Sequence, residues 1–146
     1  MKEVDIYTDG SCLGNPGAGG WCSILMYKDK KKMIKGGKEL TTNNEMELKA
    51  VLEALKRLKE PCKVNLYTDS KYIVNAMNDW IHSWAKDNWK VGEKKGIKHL
   101  DKWKELYKLM NIHQITPIWV KGHSGNQYNE MCDKVAREEA KKYQQR

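Results

Sequence analysis

Lys63-Val64-Asn65-Leu66-Tyr67-Thr68-Asp69 alternates polar and apolar side chains with period two, and Ser70 follows it as a ready helix cap. The alternation predicts a strand, and the cap predicts a helix running through Met77. The pattern occurs a second time in Val4-Asp5-Ile6-Tyr7-Thr8-Asp9, which also ends on Tyr-Thr-Asp. Between the two lie an apolar run at Trp21–Tyr27, an expected returning strand at Met33–Leu40, and helical spacing at Glu45–Lys59 stopped by Pro61. After Ser70, further helices are expected at Asp79–Trp89 and His99–Met110, joined by a loop containing Gly and Lys. A strand at Ile115–Val120 and a helix at Asn129–Tyr143 complete the chain. Gly10–Gly20 carries five glycines and Pro16 and is expected to turn tightly. The order is β-β-β-α-β-α-α-α-β-α. Strands on short loops imply an antiparallel meander, and strands separated by helices imply parallel neighbours. The expected fold is α/β: a mixed five-stranded sheet, three antiparallel strands then parallel additions, flanked by about five helices in one domain over residues 1–146.

The 146 residues are 40% hydrophobic and 32% charged, a globular composition. Lys and Arg number 27 against 19 Asp and Glu, so the formal charge is +8. That surplus favours a polyanionic partner: nucleic acid, an acidic membrane or an acidic protein. Cys12, Cys22, Cys62 and Cys132 form no C-x-x-C pair and no zinc spacing with His, so free thiols in a reducing cytosol are expected. The first residues alternate without a signal-peptide core, and no apolar run reaches ~18 residues, so a cytoplasmic protein without membrane spans is expected.

Several acids stand where packing does not want them. On the helix from Glu45, Glu47 shares the apolar stripe of Val51, Ala54 and Leu58, while Lys49, Glu53, Lys56 and Glu60 take the opposite face. A buried unpaired carboxylate is costly and needs a partner or a metal, unless a place in the first turn lets it reach water. Asp9 and Asp69 close their strands, where open α/β sheets place ligands, although a strand-end Asp also serves as a turn or cap residue. Asp133 lies near the start of the last helix, on the side of Ala136 and Ala140, and could equally serve the helix dipole.

These acids and their surroundings carry a resemblance. Tyr7-Thr8-Asp9-Gly10-Ser11-Cys12-Leu13-Gly14-Asn15-Pro16-Gly17, Thr41-Thr42-Asn43-Asn44-Glu45-Met46-Glu47-Leu48 and Thr68-Asp69-Ser70 stand in order along the chain. Trp80-Ile81-His82, Trp119-Val120-Lys121-Gly122-His123-Ser124-Gly125 and Asn129-Glu130-Met131-Cys132-Asp133 follow them. With these segments the chain resembles the type 1 ribonucleases H, in their single-domain bacterial form. The resemblance implies the ribonuclease H-like fold, catalytic carboxylates at Asp9, Glu47, Asp69 and Asp133, and a mobile catalytic histidine at His123. It implies hydrolysis of the RNA strand of an RNA–DNA hybrid by a two-metal-ion mechanism, leaving 5′-phosphate and 3′-hydroxyl ends. Two Mg²⁺ ions are the expected cofactor, with Mn²⁺ able to substitute, and a monomer is expected.

The chemistry suits the residues. Two metal ions roughly 3.5–4 Å apart neutralise charge on the attacking and leaving oxygens of a phosphodiester. Mg²⁺ takes hard oxygen ligands. Gathered carboxylates without metal repel, by on the order of 4 kcal/mol for a pair ~4 Å apart at an effective dielectric of ~20. An imidazole titrates near neutrality and suits proton transfer. The resemblance also implies hybrid contacts. Cys12, Asn15, Asn43 and Asn44 match positions that probe the minor groove, Gly10 and Glu47 meet 2′-hydroxyls, and Thr42 matches part of a phosphate pocket. Lys71 replaces the family's usual Gln after Thr-Asp-Ser. Asn43 and Asn44 equally suit helix capping. A basic handle is expected at about 80–100, where Trp80, Lys86 and Trp89 are candidate contacts, while Trp84 and Trp103 are expected in the core. The lysines at 28, 30, 31, 32, 35 and 38 read as a solvated hairpin tip. A DNA-cutting nuclease or integrase of the same fold is opposed by the Asn43-Asn44 pair and the handle. A noncatalytic hybrid-binding module would show a lost carboxylate, and none is lost.

Overall fold

A computed structural model describes residues 1–144. Three strands, β1 (Lys2–Leu13), β2 (Gly17–Tyr27) and β3 (Lys30–Thr41), form the antiparallel meander. Helix α1 (Asn43–Lys56) leads to β4 (Cys62–Thr68), which pairs parallel with β1. A helical segment follows as α2 (Lys71–Asn75), one π turn (Ala76–Trp80) and α3 (Ile81–Lys86). Then come α4 (Lys90–Lys95), α5 (Leu100–Ile112), β5 (Gln114–Trp119), parallel to β4, and α6 (Gln127–Lys142). The sheet order is β3-β2-β1-β4-β5, the mixed sheet expected from the sequence.

The sheet buries both faces. Successive residues of a strand point to opposite sides, and Gly19 and Gly20 show which helix covers each. A Cβ on Gly19 would lie 2.9 Å from Met46 Cγ of α1, and one on Gly20 would lie 2.3 Å from the Ala136 carbonyl of α6. The α1 side holds the main core, with Ile6, Leu48, Val51, Leu66, Ile73 and Trp103 all buried. The α6 side holds a smaller cluster of Cys22, Ile24, Cys132 and Ala136, packed against Tyr7 and Tyr128. The four cysteines are free thiols. Because the Ala136 carbonyl and the Ala140 amide are backbone and cannot step aside, Gly20→Ala is expected to cost about 2–3 kcal/mol. Thermal melts should show Tm lower by roughly 5–10 °C. An unchanged Tm would mean that α6 stands off the sheet at this point.

Three local expectations need correction. The segment expected to turn over Gly10–Gly20 is mostly strand, and the turn is confined to Gly14–Pro16, with a cis Asn15–Pro16 peptide. Its glycines mark close approach by helices more than chain reversal. No new helix begins at Asp79, because α2 runs through the π turn into α3 while Ala76, Met77 and Ile81 stay buried. The expected loop before His99 contains a helix of its own, α4, entered through Asn88 and Trp89 at positive φ and left through Gly96.

Candidate active site

β1 and β4 run side by side in parallel, with Tyr7 beside Tyr67, so their carboxyl ends deliver Asp9 and Asp69 to one edge of the sheet. The rings of Tyr7 and Tyr67 stack with centroids 4.4 Å apart directly behind them. α1 crosses this edge at its first turn. Thr42 caps it by accepting the Glu45 amide at 3.2 Å, and Glu47 comes to point into the protein. Gly10 permits the crossing, since a Cβ there would lie 2.5 Å from the Glu47 amide nitrogen.

One carboxylate oxygen from each of Asp9, Glu47 and Asp69 lies within 4.8 Å of the others. Asp9 is 3% exposed and Glu47 is 8% exposed. Burial, then the charge of Asp69, pushes the Asp9 carboxyl up to about 7, although the Glu47 carboxyl and the Gly10 amide, 2.9 Å from Oδ1, both favour its ionised form. Burial and the charge of Asp9 raise Glu47 well above the usual carboxylate range. Burial also raises Asp69, opposed by hydrogen bonding from Asp9 and Asn129 and by the charge of His123. Among the described residues, Glu47 Oε1 is buried with no hydrogen-bond partner. A cluster of hard oxygen donors that cannot all ionise, one of them unpaired, fits a divalent cation such as Mg²⁺.

Asp133 stands at the rim and is not one of the three converging acids. Its Oδ2 accepts from Arg137 at 3.1 Å, one turn along α6, while its charge helps raise both Asp9 and Asp69. His123 is exposed at φ 55°, on the loop between β5 and α6. That loop lies directly on the cluster: a Cβ on Gly122 would come within 2.9 Å of Asp69 Oδ2.

The expected contact residues fall on one flank. The Asn15 side-chain Oδ1 accepts the Asn43 backbone amide at 3.0 Å, and Cys12 Sγ approaches the Thr41 carbonyl at 3.2 Å. Asn43 and Asn44 are exposed. Asn15, Thr42, Asn43 and Asn44 line a cleft of about 430 Å³ whose far wall is Tyr72 and His99. Lys71 leans over the exposed Trp119 ring, its ammonium 4.8 Å from the centroid. Trp119 in turn donates its indole N–H to the Asp69 carbonyl at 3.2 Å. Trp80 is 38% exposed, Trp89 is half-buried and Lys86 is exposed. Trp84 touches Trp80, Trp89 and Trp103, with centroids 6.5, 6.4 and 5.8 Å away, so an aromatic ladder joins surface to core. Trp103 is fully buried, as expected, whereas Trp84 is only half-buried. The lysines at 28, 30, 31, 32, 35 and 38 are exposed, but Lys35 and Lys38 lie along β3 and pair with Glu139 and Glu45 at 3.6 and 3.2 Å, away from the tip.

The sequence reading passed over Asn129, Trp119, Tyr72 and His99 as site residues. Asn129 is buried, its side-chain nitrogen lacks a partner of good hydrogen-bond geometry among the described residues, and its amide still draws the Asp69 pKa down. Its position four residues before Asp133, on one face of α6, was the available signal. Tyr72 and His99 carried none, because their place in the cleft depends on how α2 and α5 pack.

Residues 1–141 match the family model described as RNase H. The ribonuclease H of Caldicellulosiruptor saccharolyticus is 59% identical over 138 residues, covering 94% of this chain and 95% of that protein. The ribonuclease HI of Helicobacter pylori is 50% identical over 142 residues, covering 97% and 96%. Among solved structures, LC9-RNase H1, a type 1 RNase H with the type 2 active-site motif, superposes with a TM-score of 0.87 at 33% identity. That match covers 98% of this chain and 74% of the other. LC11-RNase H1, solved in complex with an RNA/DNA hybrid, shares the fold with a TM-score of 0.68 at 20% identity, covering 95% and 97%.

Proposed function

This chain belongs to the RNase H family, and from that premise we propose that it is an endonuclease cutting the RNA strand of RNA–DNA hybrids. The products are 5′-phosphate and 3′-hydroxyl ends. The convergence of Asp9, Glu47 and Asp69 around the unpaired Glu47 Oε1 carries the reading. Asp9, Glu47 and Asp69, with Asp133 at the rim, would hold two Mg²⁺ ions, Mn²⁺ substituting. When bound, the ions supply Lewis-acid neutralisation of the attacking and leaving oxygens.

The chain's own groups do the rest. The Gly10 amide fixes the Asp9 carboxylate at 2.9 Å, and burial keeps bulk water from the cluster. The Gly10 backbone and Glu47 face the 2′-hydroxyls beside the scissile phosphate, the group that tells RNA from DNA. His123, carried on the loop held against Asp69, moves a proton on the product side. Cys12, Asn15, Asn43 and Asn44 follow the minor groove, and Thr42 helps seat a phosphate. Lys71 lies over Trp119, where it offers the RNA backbone a charge in place of an amide. Residues 80–100 form a basic handle within a single domain, with Trp80 and Trp89 giving flat surface and Lys86 giving charge. The protein works as a cytoplasmic monomer.

The test is a labelled hybrid incubated with Mg²⁺ or with EDTA, beside single-stranded RNA, duplex RNA and duplex DNA. Metal-dependent cutting of only the hybrid's RNA is expected, and cutting of duplex DNA would overturn the substrate assignment. The handle makes its own prediction. Replacing Lys86, Lys90, Lys94 and Lys95 with Gln should raise KM and lower the salt slope by about 0.9 per lost phosphate contact, with kcat nearly unchanged. A fall in kcat at constant KM would count against a gripping role.

A further inference from the structure

β4 and β5 end side by side, with Thr68 opposite Trp119. Past that pair, the Val120 amide still donates to the Thr68 carbonyl at 2.9 Å. Asp69 lies one residue further on, where the chain turns into α2. In this turn the Ser70 amide donates to the Thr68 hydroxyl at 3.0 Å, and Ser70 Oγ accepts the Ile73 amide at 3.1 Å. A side chain extends the strand pairing to Asp69: the Trp119 indole N–H donates to the Asp69 carbonyl at 3.2 Å. The carboxyl of the same residue lies in the cluster with Asp9 and Glu47. The indole has a second neighbour. Lys71, the first residue of α2, holds its ammonium 4.8 Å from the ring centroid. Lys71 is exposed, and among the described residues no carboxylate forms an ion pair with it. Trp119 is itself 43% exposed at the end of an edge strand, so burial supplies only part of the reason for a large ring here.

We propose that Trp119 is a positioning residue with two separable jobs: its N–H fixes the main chain that carries Asp69, and its ring holds the Lys71 ammonium out toward the hybrid. The inference rests on the hybrid-cutting reading and assigns a part in it to a residue that touches neither metal nor scissile phosphate. A ligand carboxylate works only when held to within roughly 0.5 Å, and groups that orient ligands govern metal affinity almost as strongly as the ligands themselves. Asp69 stands in a turn, where the peptide is freer to rotate than inside a ladder, and the indole bond removes that freedom. The ring acts differently. A flexible lysine stem samples many directions, and the face of an indole attracts the ammonium and narrows them. Lys71 is two residues from Asp69, so a cation parked there lies beside the cluster, where a backbone phosphate of the bound strand can meet it. One side chain thus ties the metal end of the site to the substrate end.

Three variants of the full chain separate the jobs. Trp119→Phe keeps a ring and loses the N–H, Trp119→Leu loses both, and Lys71→Gln loses only the charge. Two readouts need no turnover: the rise of Tm with added Mg²⁺, and the anisotropy of a labelled hybrid titrated with protein in EDTA. Trp119→Phe should need about tenfold more Mg²⁺ to reach the midpoint of the Tm rise, and excess Mg²⁺ should restore most of its cutting rate. Its hybrid affinity in EDTA should match that of the wild type. Trp119→Leu should share the metal defect and also bind hybrid roughly threefold to tenfold more weakly. Lys71→Gln should show the binding defect alone, with KM raised and the salt slope lower by about 0.7–0.9. In the Trp119→Leu background, Lys71→Gln should cost clearly less than in the wild type, because the platform is already gone. A lower Tm in EDTA with an unmoved Mg²⁺ midpoint in Trp119→Phe would make the indole merely structural and overturn the proposal. Hybrid binding by Trp119→Leu as tight as that by Trp119→Phe would overturn it as well. Failure of the wild type to cut hybrid would sink the hybrid-cutting reading, and the Mg²⁺ midpoints would still decide the part of Trp119 at the cluster.

Discussion

Asp69→Asn should abolish hybrid cutting while the protein folds as before. The substitution keeps the shape of the side chain and removes the negative charge that a divalent ion needs. One Asp69 oxygen lies within 4.8 Å of an oxygen of each of the two other carboxylates, so the lost charge comes from the cluster itself. Loss of one such ligand is expected to reduce kcat on the order of 10³-fold or more, equivalent to ~4 kcal/mol of barrier. Circular dichroism and Tm should stay at the wild-type level or rise, because burial and Asp133 already disfavour the ionised form of Asp69. Affinity for uncut hybrid should change little, since phosphate contacts dominate it. Turnover near the wild-type rate would remove Asp69 from the site and with it the proposed chemistry.

Asp9→Asn should make the metal-free protein more stable, and the gain should appear only as the pH rises. The folded protein raises Asp9 from 3.8 to about 7. Between those values the folded state holds a proton that the unfolded chain has released, so stability falls as pH rises through the window. Above it the full penalty is present, and below it none is. Three units correspond to ~4 kcal/mol as an upper bound, and shared titration with Glu47 and Asp69 brings the expectation to about 2–4 kcal/mol at pH 8. Urea unfolding of both proteins in EDTA, at pH 4 and pH 8, measures the difference. A divalent ion should narrow the gap by binding only the wild-type folded state with full strength. Equal stability of the two proteins at pH 8 would mean that Asp9 is better solvated than its burial indicates.

Of these acids Glu47 alone broke a local rule, whereas Asp9, Asp69 and Asp133 stood at ordinary cap or dipole positions and were singled out by the shared Tyr-Thr-Asp and by the family resemblance. Glu47 sat on an apolar stripe and is buried, and Asp9 and Asp69 ended twin strands and meet. Asp133 was legible as a face of the last helix, but its pairing with Arg137 belongs to side-chain geometry that periodicity does not encode. The extents of β1 and β2 were hidden because Gly reads as a turn in one dimension and as a close helix contact in three. The π turn was hidden because it shifts the helical register while Met77 and Ile81 stay in the core. Trp89 at φ 67° has no sequence signature, since the Trp84 carbonyl that accepts its amide at 2.8 Å and the Trp84 and Tyr107 rings around it arrive only once α3, α4 and α5 have packed.

The carboxylates come from four separate elements: β1, α1, the end of β4, and α6, which begins at Gln127. No shorter stretch of the chain contains the set. During synthesis, the growing polypeptide should therefore carry no hybrid-cutting activity until α6 has left the ribosome and docked beside Gly20. Onset of cutting should therefore report that α6 has joined the sheet. In a refolding experiment, the regain of activity should trail the regain of helical signal by the time α6 takes to dock.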